Sequence, residues 1–75
     1  MAAVLLDARG LSCPQPVLLF LNATKTNPGS DFTVLVDNDA SLENVSRAAR
    51  NHGFSVTPQP EENGATRLEI QKIEQ

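Results

Sequence analysis

The residues with the clearest chemical potential lie at positions 6–16, where the sequence reads Leu-Asp-Ala-Arg-Gly-Leu-Ser-Cys-Pro-Gln-Pro. This stretch contains Cys13, the one cysteine of the chain, and a cysteine thiolate is a strong nucleophile. Pro14 follows directly. Proline is favoured at the first helical position because its fixed φ suits the helix and its missing N–H would be unpaired there anyway. The sequence therefore predicts that Cys13 caps the N-terminus of a helix.

The start of this helix is expected to activate the thiol. Two of its first residues are prolines without an N–H, so the amides of Gln15 and Val17 are the local donors left for a thiolate at Cys13. The helix dipole adds about half a positive charge at this end, and such positions lower a cysteine pKa below its free value of about 8.5. We therefore expect Cys13 to be unusually nucleophilic.

Charged residues just before the cysteine have two possible roles. Asp7 would oppose formation of the thiolate by its charge, whereas Arg9 would favour it. An aspartate at the end of a strand can also accept hydrogen bonds from backbone amides of the following turn, which is the role we expect for Asp7. A single cysteine is most often a small buried hydrophobe, but the position of Cys13 between a turn at Gly10 and a proline favours an exposed functional residue.

The stretch carries the pattern Leu6-Asp7-x-x-Gly10-x-x-Cys13-Pro14-x-Pro16. This pattern resembles the signature of the TusA, SirA and YedF family of small sulfur-carrier proteins. Three later segments are more weakly similar to the TusA-like domain of YedF-type proteins, at residues 36–38, 43–45 and 53–54. The resemblance implies that Cys13 accepts sulfur as a persulfide and passes it to another protein. It also implies a two-layer βαβαββ fold.

The predicted site combines what the residues and the resemblance indicate. Cys13 is expected to be the reacting residue. The residues expected to support it are Asp7, Arg9, Gly10, Pro14 and Pro16, and those expected to bind a partner are Gln15 and Leu19. The implied partners are a sulfur donor protein, such as a cysteine desulfurase or a rhodanese-like protein, and a downstream acceptor protein. The pathway could be tRNA thiolation or selenium metabolism, and the sequence does not choose between them.

Composition limits the possible functions. We expect residues 1–75 to form one domain, and one cysteine allows no internal disulfide, which fits a cytoplasmic protein. The net charge is −3, with nine acidic and six basic residues, so nucleic-acid binding is not expected. Cys13 and His52 show no metal-ligand spacing, so we expect neither zinc nor an iron–sulfur cluster, and no cofactor. The apolar N-terminal run is too short for a membrane span.

The predicted elements alternate between strands and helices. Strands are expected at residues 3–8, 31–37, 54–57 and 65–73, and helices at residues 14–26 and from the capping residues 38–41 to Gly53. Pro58 and Pro60 cannot donate to a strand ladder, so the third strand should lie at a sheet edge or have a frayed end. Asn63-Gly64 should close a hairpin into the fourth strand.

One face of the predicted sheet is polar and therefore exposed to solvent. The residues expected there are Thr33, Asp37, Ser55, Thr57, Arg67, Glu69 and Gln71. A doubly wound fold covers both faces, so we predict an α+β fold instead: a two-layer sandwich with both helices on one side of a four-stranded mixed sheet. The strand–helix–strand crossovers should be right-handed and the last hairpin antiparallel. Leu18 and Leu19 should pack on the neighbouring helix, although an apolar docking patch beside Cys13 is the alternative.

Three functions remain open at the level of sequence. Without a second cysteine the chain cannot resolve its own mixed disulfide, and with a single histidine it is poorly suited to cysteine hydrolysis. A sulfur carrier needs only an exposed thiolate and a surface for its donor and acceptor. A regulatory or protein-interaction domain is the main alternative, and RNA binding through the sheet face is a weaker one. Arg47, Arg50 and Lys25 could form a basic patch for an acidic partner, although solvated helix surface is the usual reading.

Overall fold

The computed structural model describes residues 4–10, 15–61 and 64–73. The chain forms four strands and two helices in the predicted order: β1 (Val4–Asp7), α1 (Gln15–Thr26), β2 (Phe32–Val36), α2 (Asp39–Asn51), β3 (Phe54–Pro60) and β4 (Thr66–Lys72). The four strands form one sheet in the order β1-β2-β4-β3. β1 is parallel to β2, whereas β4 is antiparallel to both β2 and β3. The prediction of a mixed sheet with an antiparallel final hairpin is therefore confirmed.

The core lies between the sheet and the two helices. Alternate residues of β2 and β4 are buried, among them Val34, Leu68 and Ile70, while the residues between them face away from the helices. Three phenylalanines from α1, β2 and β3 meet edge to face, with ring centroids 5.5, 5.7 and 5.9 Å apart. Both helices thus cover the same side of the sheet, as the two-layer prediction requires.

The opposite face of the sheet is polar and partly exposed, as predicted. Thr33, Arg67 and Glu69 lie side by side on it: the Thr33 hydroxyl donates to Glu69 Oε1 at 2.8 Å, and Arg67 Nε lies 3.1 Å from Glu69 Oε2. Leu5, on the same face, is 65% exposed. No helix packs against this face within the described residues, so its polar residues stabilise one another in contact with solvent.

α1 buries a narrower face than its sequence predicts. Pro16, Phe20 and Ala23 are buried, and they recur at the spacing of one helical stripe. Leu19 is half-buried and packs against the core, but Leu18 is 51% exposed. The prediction that both leucines pack on the neighbouring helix is therefore wrong for Leu18, because at about 100° per residue it lies on the side of α1 opposite the buried stripe.

α2 begins and ends with the capping residues that the sequence predicts. The Asn38 side chain accepts a hydrogen bond from the Ser41 N–H at 2.7 Å, which satisfies one of the unpaired amides of the first turn. Gly53 follows the last turn with a φ of +84°, in the left-handed region that glycine adopts without strain. His52 is the C-cap residue, as expected from its position at the end of this helix.

β3 is an edge strand, and the main-chain carbonyl groups of its two prolines point away from β4. The Glu61 N–H donates to the Ala65 carbonyl at 2.8 Å, so Glu61 faces β4. Main-chain groups alternate in direction along a strand, which means that Pro58 and Pro60 turn theirs outward. The strand runs to Pro60 and pairs there with Thr66, so the predicted edge position is confirmed, and the strand is not frayed.

Candidate functional site

The candidate site lies at the edge of the sheet where the parallel strands β1 and β2 end. The chain leaves β1 at Asp7 and reaches α1 through residues 8–14, and it leaves β2 at Val36 and enters α2 within three residues. The carboxyl ends of parallel strands share one edge of a sheet, so both helices begin there. The turn that leads from β1 towards Cys13 is therefore built beside the start of α2.

Asp7 holds the first part of this turn. Its Oδ1 accepts from the Arg9 backbone N–H at 3.1 Å and from Arg9 Nε at 2.9 Å, and its Oδ2 accepts from Arg9 Nη2 at 2.8 Å. The Arg9 guanidinium and backbone lower the pKa of Asp7 from 3.8 to about 2, and Asp7 in turn raises the pKa of Arg9. The predicted role of Asp7 as an acceptor for the following turn is seen here, and its charge is balanced by the neighbouring guanidinium.

Asp37 holds the second part of the turn from across the sheet edge. Its Oδ2 accepts from the Gly10 N–H at 2.8 Å, a contact between residues 27 positions apart. Gly10 has a φ of +79° with nothing within 4 Å of the place where a Cβ would lie, so the glycine is needed for its backbone conformation and not for space. Gly10 thus has a conformational role in this turn, while its support of Cys13 stays a prediction.

A continuous set of hydrogen bonds joins this turn to the first turn of α2. Asp37 Oδ1 accepts from Asn38 Nδ2 at 3.2 Å, and Asn38 Oδ1 accepts from the Ser41 N–H at 2.7 Å. The Gly10 amide, the Asp37 carboxylate, the Asn38 side chain and the α2 backbone are therefore linked in series. Asp37 was expected from the sequence as one polar residue of the open face, and the family-like segment at residues 36–38 was the one weak signal that it belongs near the site.

The predicted residues on α1 are placed differently from one another. Pro16 is fully buried in the first turn and belongs to the core. Gln15 is exposed next to it, while Leu19 is half-buried and packs against the core. Cys13 and Pro14 lie outside the described residues, so the N-cap geometry stays a prediction. Cys13 is three residues after Gly10, so the chain between them can span at most roughly 10 Å.

A shallow groove of about 480 Å³ lies elsewhere, between α2 and β3. It contains no residue of the turn at positions 7–10 and so is not part of the candidate site. Arg47 and Arg50 line it together with Asp39 and Glu43, and Arg47 is paired with Glu43 at 2.7 Å. The groove therefore carries both signs of charge, which argues against the basic patch considered from the sequence.

The sheet face lacks the features that RNA binding needs. The chain has three aromatic residues, Phe20, Phe32 and Phe54, and all three are buried in the core. Bases of single-stranded RNA are bound by stacking on exposed aromatic rings, and none is present on the open face. In the described part of the chain, no three His, Cys, Asp or Glu side chains are arranged to hold a metal ion, and neither helix is long and apolar enough to cross a membrane.

Comparisons with known proteins identify the family. Residues 4–72 match the family described as Sulfurtransferase TusA, and this chain belongs to that family. It is 37% identical over 68 residues to a proposed sulfur carrier protein of Methanocaldococcus jannaschii, covering 89% of this chain and 91% of the relative. The crystal structure of a SirA-like protein from Desulfitobacterium hafniense is similar to it with a TM-score of 0.84 and 33% identity, covering 89% of this chain and 93% of the other.

Proposed function

We propose that this chain acts as a single sulfur-carrier domain in which Cys13 accepts sulfur as a persulfide and delivers it to a second protein. Membership of the TusA family and the similarity to a proposed sulfur carrier support the carrier role. The observation that carries the proposal is the turn at residues 9–10. Asp7 and Asp37 hold this turn from the ends of two adjacent strands, and the chain's one cysteine follows three residues after Gly10.

The chemistry consists of two exchanges that balance without an oxidant or reductant. The Cys13 thiolate attacks the outer sulfur of the donor's persulfide, a new S–S bond forms on Cys13, and the donor leaves as a thiolate. A thiolate of the acceptor then attacks the outer sulfur on Cys13, the Cys13 S–S bond breaks, and Cys13 returns as a thiolate. Each step needs an exposed sulfur and a surface that both partners recognise in turn.

The partners are proposed by class. The donor is a protein that carries a persulfide, either a cysteine desulfurase or a rhodanese-like protein, and the acceptor is a protein with a free thiolate. The exposed Gln15 lies beside the predicted position of Cys13 and is a candidate contact for them. Delivery of the sulfur to tRNA thiolation or to selenium metabolism stays a prediction, as does a cytoplasmic location.

The test is the intact mass of the protein after incubation with a cysteine desulfurase and cysteine. We expect one added sulfur, about 32 Da, that a reductant removes and that is absent from Cys13→Ala. A loaded sample mixed with a thiol-bearing acceptor protein should lose this mass as the acceptor gains it. No added mass with desulfurase or rhodanese donors would overturn the carrier function.

The same variant distinguishes a sulfur carrier from a regulatory or protein-interaction domain. A regulatory or interaction domain would keep its protein partners after Cys13→Ala and would show no loading in the unmodified chain. Loading of the unmodified chain together with normal folding of the variant, judged by circular dichroism, would exclude a purely structural role of the cysteine.

A further inference from the structure

We infer that Asp37 is a positioning residue of the sulfur relay, because it fixes the backbone of the turn that presents Cys13. The inference rests on the proposed function. Its basis is the bond from the Gly10 N–H to Asp37 Oδ2 at 2.8 Å, which joins the end of β2 to the turn that follows β1. The role inferred for Asp37 is to act only through Gly10, without contacting the sulfur or the partner.

Asp37 is suited to this task by its own restraint. Its other oxygen accepts from Asn38 Nδ2 at 3.2 Å, and Asn38 is tied to the backbone of α2 through Ser41. A side chain held at both oxygens has little freedom to rotate. Asp37 therefore fixes the position of the Gly10 amide with respect to the first turn of α2. The turn is thereby connected to the core through α2, whose Val45 and Ala49 are fully buried.

The turn needs such a restraint from outside. Gly10 is exposed and has a left-handed backbone, and glycine loses more conformational freedom on ordering than any other residue. Among the described residues, Asp7 accepts hydrogen bonds from Arg9 alone, one residue earlier. Without Asp37 the residues between Gly10 and Cys13 would start from a mobile point, and a nucleophile displaced by about 1 Å can lose up to a hundredfold in rate.

The inference requires the acceptor oxygen of Asp37 and not its charge. Asp37→Asn keeps an oxygen that can accept from the Gly10 N–H, whereas Asp37→Ala removes it. Asp39→Ala is the matched control, because it deletes a negative charge two residues further along in the first turn of α2 without touching Gly10. The three variants therefore separate the hydrogen bond from local electrostatics.

The experiment measures the rates of sulfur loading and delivery by mass spectrometry, with thermal unfolding of each variant as a folding control. We expect Asp37→Ala to deliver sulfur about tenfold more slowly at saturating acceptor, and Asp37→Asn and Asp39→Ala to remain within about threefold of the unmodified chain. Equal losses in Asp37→Asn and Asp37→Ala, or an unchanged rate in Asp37→Ala, would overturn the inference.

A second measurement does not depend on the variants folding. In the unmodified protein, the Gly10 amide should exchange with deuterium well below the rate of an unstructured glycine, because Asp37 holds it. Exchange at the unstructured rate would overturn the inference even if loading is normal. If the unmodified chain does not load sulfur at all, the proposed function fails, while protection of the Gly10 amide would still show that Asp37 orders the turn.

Discussion

The two helices begin at the same edge of the sheet, but their first turns are stabilised in different ways. α2 has the polar start of a structural helix: Asn38 accepts from the Ser41 N–H, and Asp39 places a negative charge near the positive end of the dipole. α1 has no acidic residue in its first turn and is anchored there by the buried ring of Pro16. The first turn of α2 is therefore capped by its own side chains, whereas the first turn of α1 contains no carboxylate.

The difference indicates where chemistry is possible. An acidic or amide cap on α1 would occupy the amides that are expected to stabilise a thiolate at Cys13. The carboxylates are instead placed one turn earlier, where Asp7 and Asp37 bind the backbone of residues 9 and 10. The proposed function would thus have its ordering charges in the turn and the dipole of α1 available for the thiolate.

The largest effect should come from giving α1 the cap that α2 has. In Cys13→Asn the new side chain can accept from the unpaired amides of the first turn, so we expect all sulfur loading to be lost while the free energy of unfolding stays equal or rises by up to about 1 kcal/mol. Intact mass and chemical denaturation measure the two effects. A fall in the free energy of unfolding, where we expect no change or a rise, would show that Cys13 contributes to the core.

The next largest effect should come from removing the apolar anchor of α1. Pro16→Ala deletes about two buried methylene groups and frees the unfolded chain, so we expect a loss of about 2 kcal/mol in the free energy of unfolding. Pro28→Ala, at an exposed position after α1, is the control and should cost less than half as much. Equal costs would mean that Pro16 acts only through backbone stiffness.

Removing the cap of α2 should have a smaller effect. Asn38→Ala leaves the Ser41 N–H without its partner, and we expect a loss of about 1 kcal/mol in the free energy of unfolding, which for a domain of this size lowers Tm by about 4–8 °C. Asp39→Ala removes the charge but keeps the cap and should cost about half as much. Scanning calorimetry measures both. An unchanged Tm in Asn38→Ala would remove the contrast between the two helix starts.

Acid should weaken the turn through Asp7. Its pKa is depressed to about 2 in the folded protein and is near 3.8 when unfolded, so its contribution is complete above about pH 4 and is lost as the pH falls to about 2. We expect the stability difference between the unmodified chain and Asp7→Asn to shrink across this window. We also expect Asp7→Asn to slow alkylation of Cys13 near neutral pH, since the turn loses the ion pair between Asp7 and Arg9. Faster alkylation with unchanged stability would instead identify Asp7 as an electrostatic brake on the thiolate.

The smallest effect should come from the one histidine. His52 is the C-cap of α2, at the end of that helix away from the site, so His52→Ala should leave the Cys13 pKa unchanged. The pH dependence of iodoacetamide alkylation reports this pKa, which should lie below about 8.5 in both proteins. A shift in the variant would show that a base, and not the helix start, activates the thiol.

Local signals in the sequence predicted most of the fold. Alternation of apolar residues indicated the strands, and Asn38 and Gly53 marked the ends of α2 by side-chain and backbone preferences that act within a few residues. The two prolines of β3 placed it at the edge for the same reason. Each of these features is decided by neighbours along the chain, so a single sequence is enough to recognise it.

The candidate site could be predicted only in part, because some of its contacts are decided in three dimensions. Asp7 could be assigned to the turn since its partner is two residues away, but the bond between Asp37 and Gly10 spans 27 positions and follows from the pairing of β1 with β2. Proline was interpreted through its backbone, which gave no indication that Pro16 is buried. A weak signal for Asp37 was present in the segment 36–38 that resembles the family.

The outward prolines of β3 have a consequence for how copies of this protein meet. Beyond Val56 the free edge offers carbonyl oxygens without amide donors, because Pro58 and Pro60 have none to give. A strand from another copy that aligned there would find no N–H donors for its own carbonyl oxygens and could not build a continuous ladder. This edge is therefore poorly suited to seed fibrils by strand addition, even where many copies are crowded together.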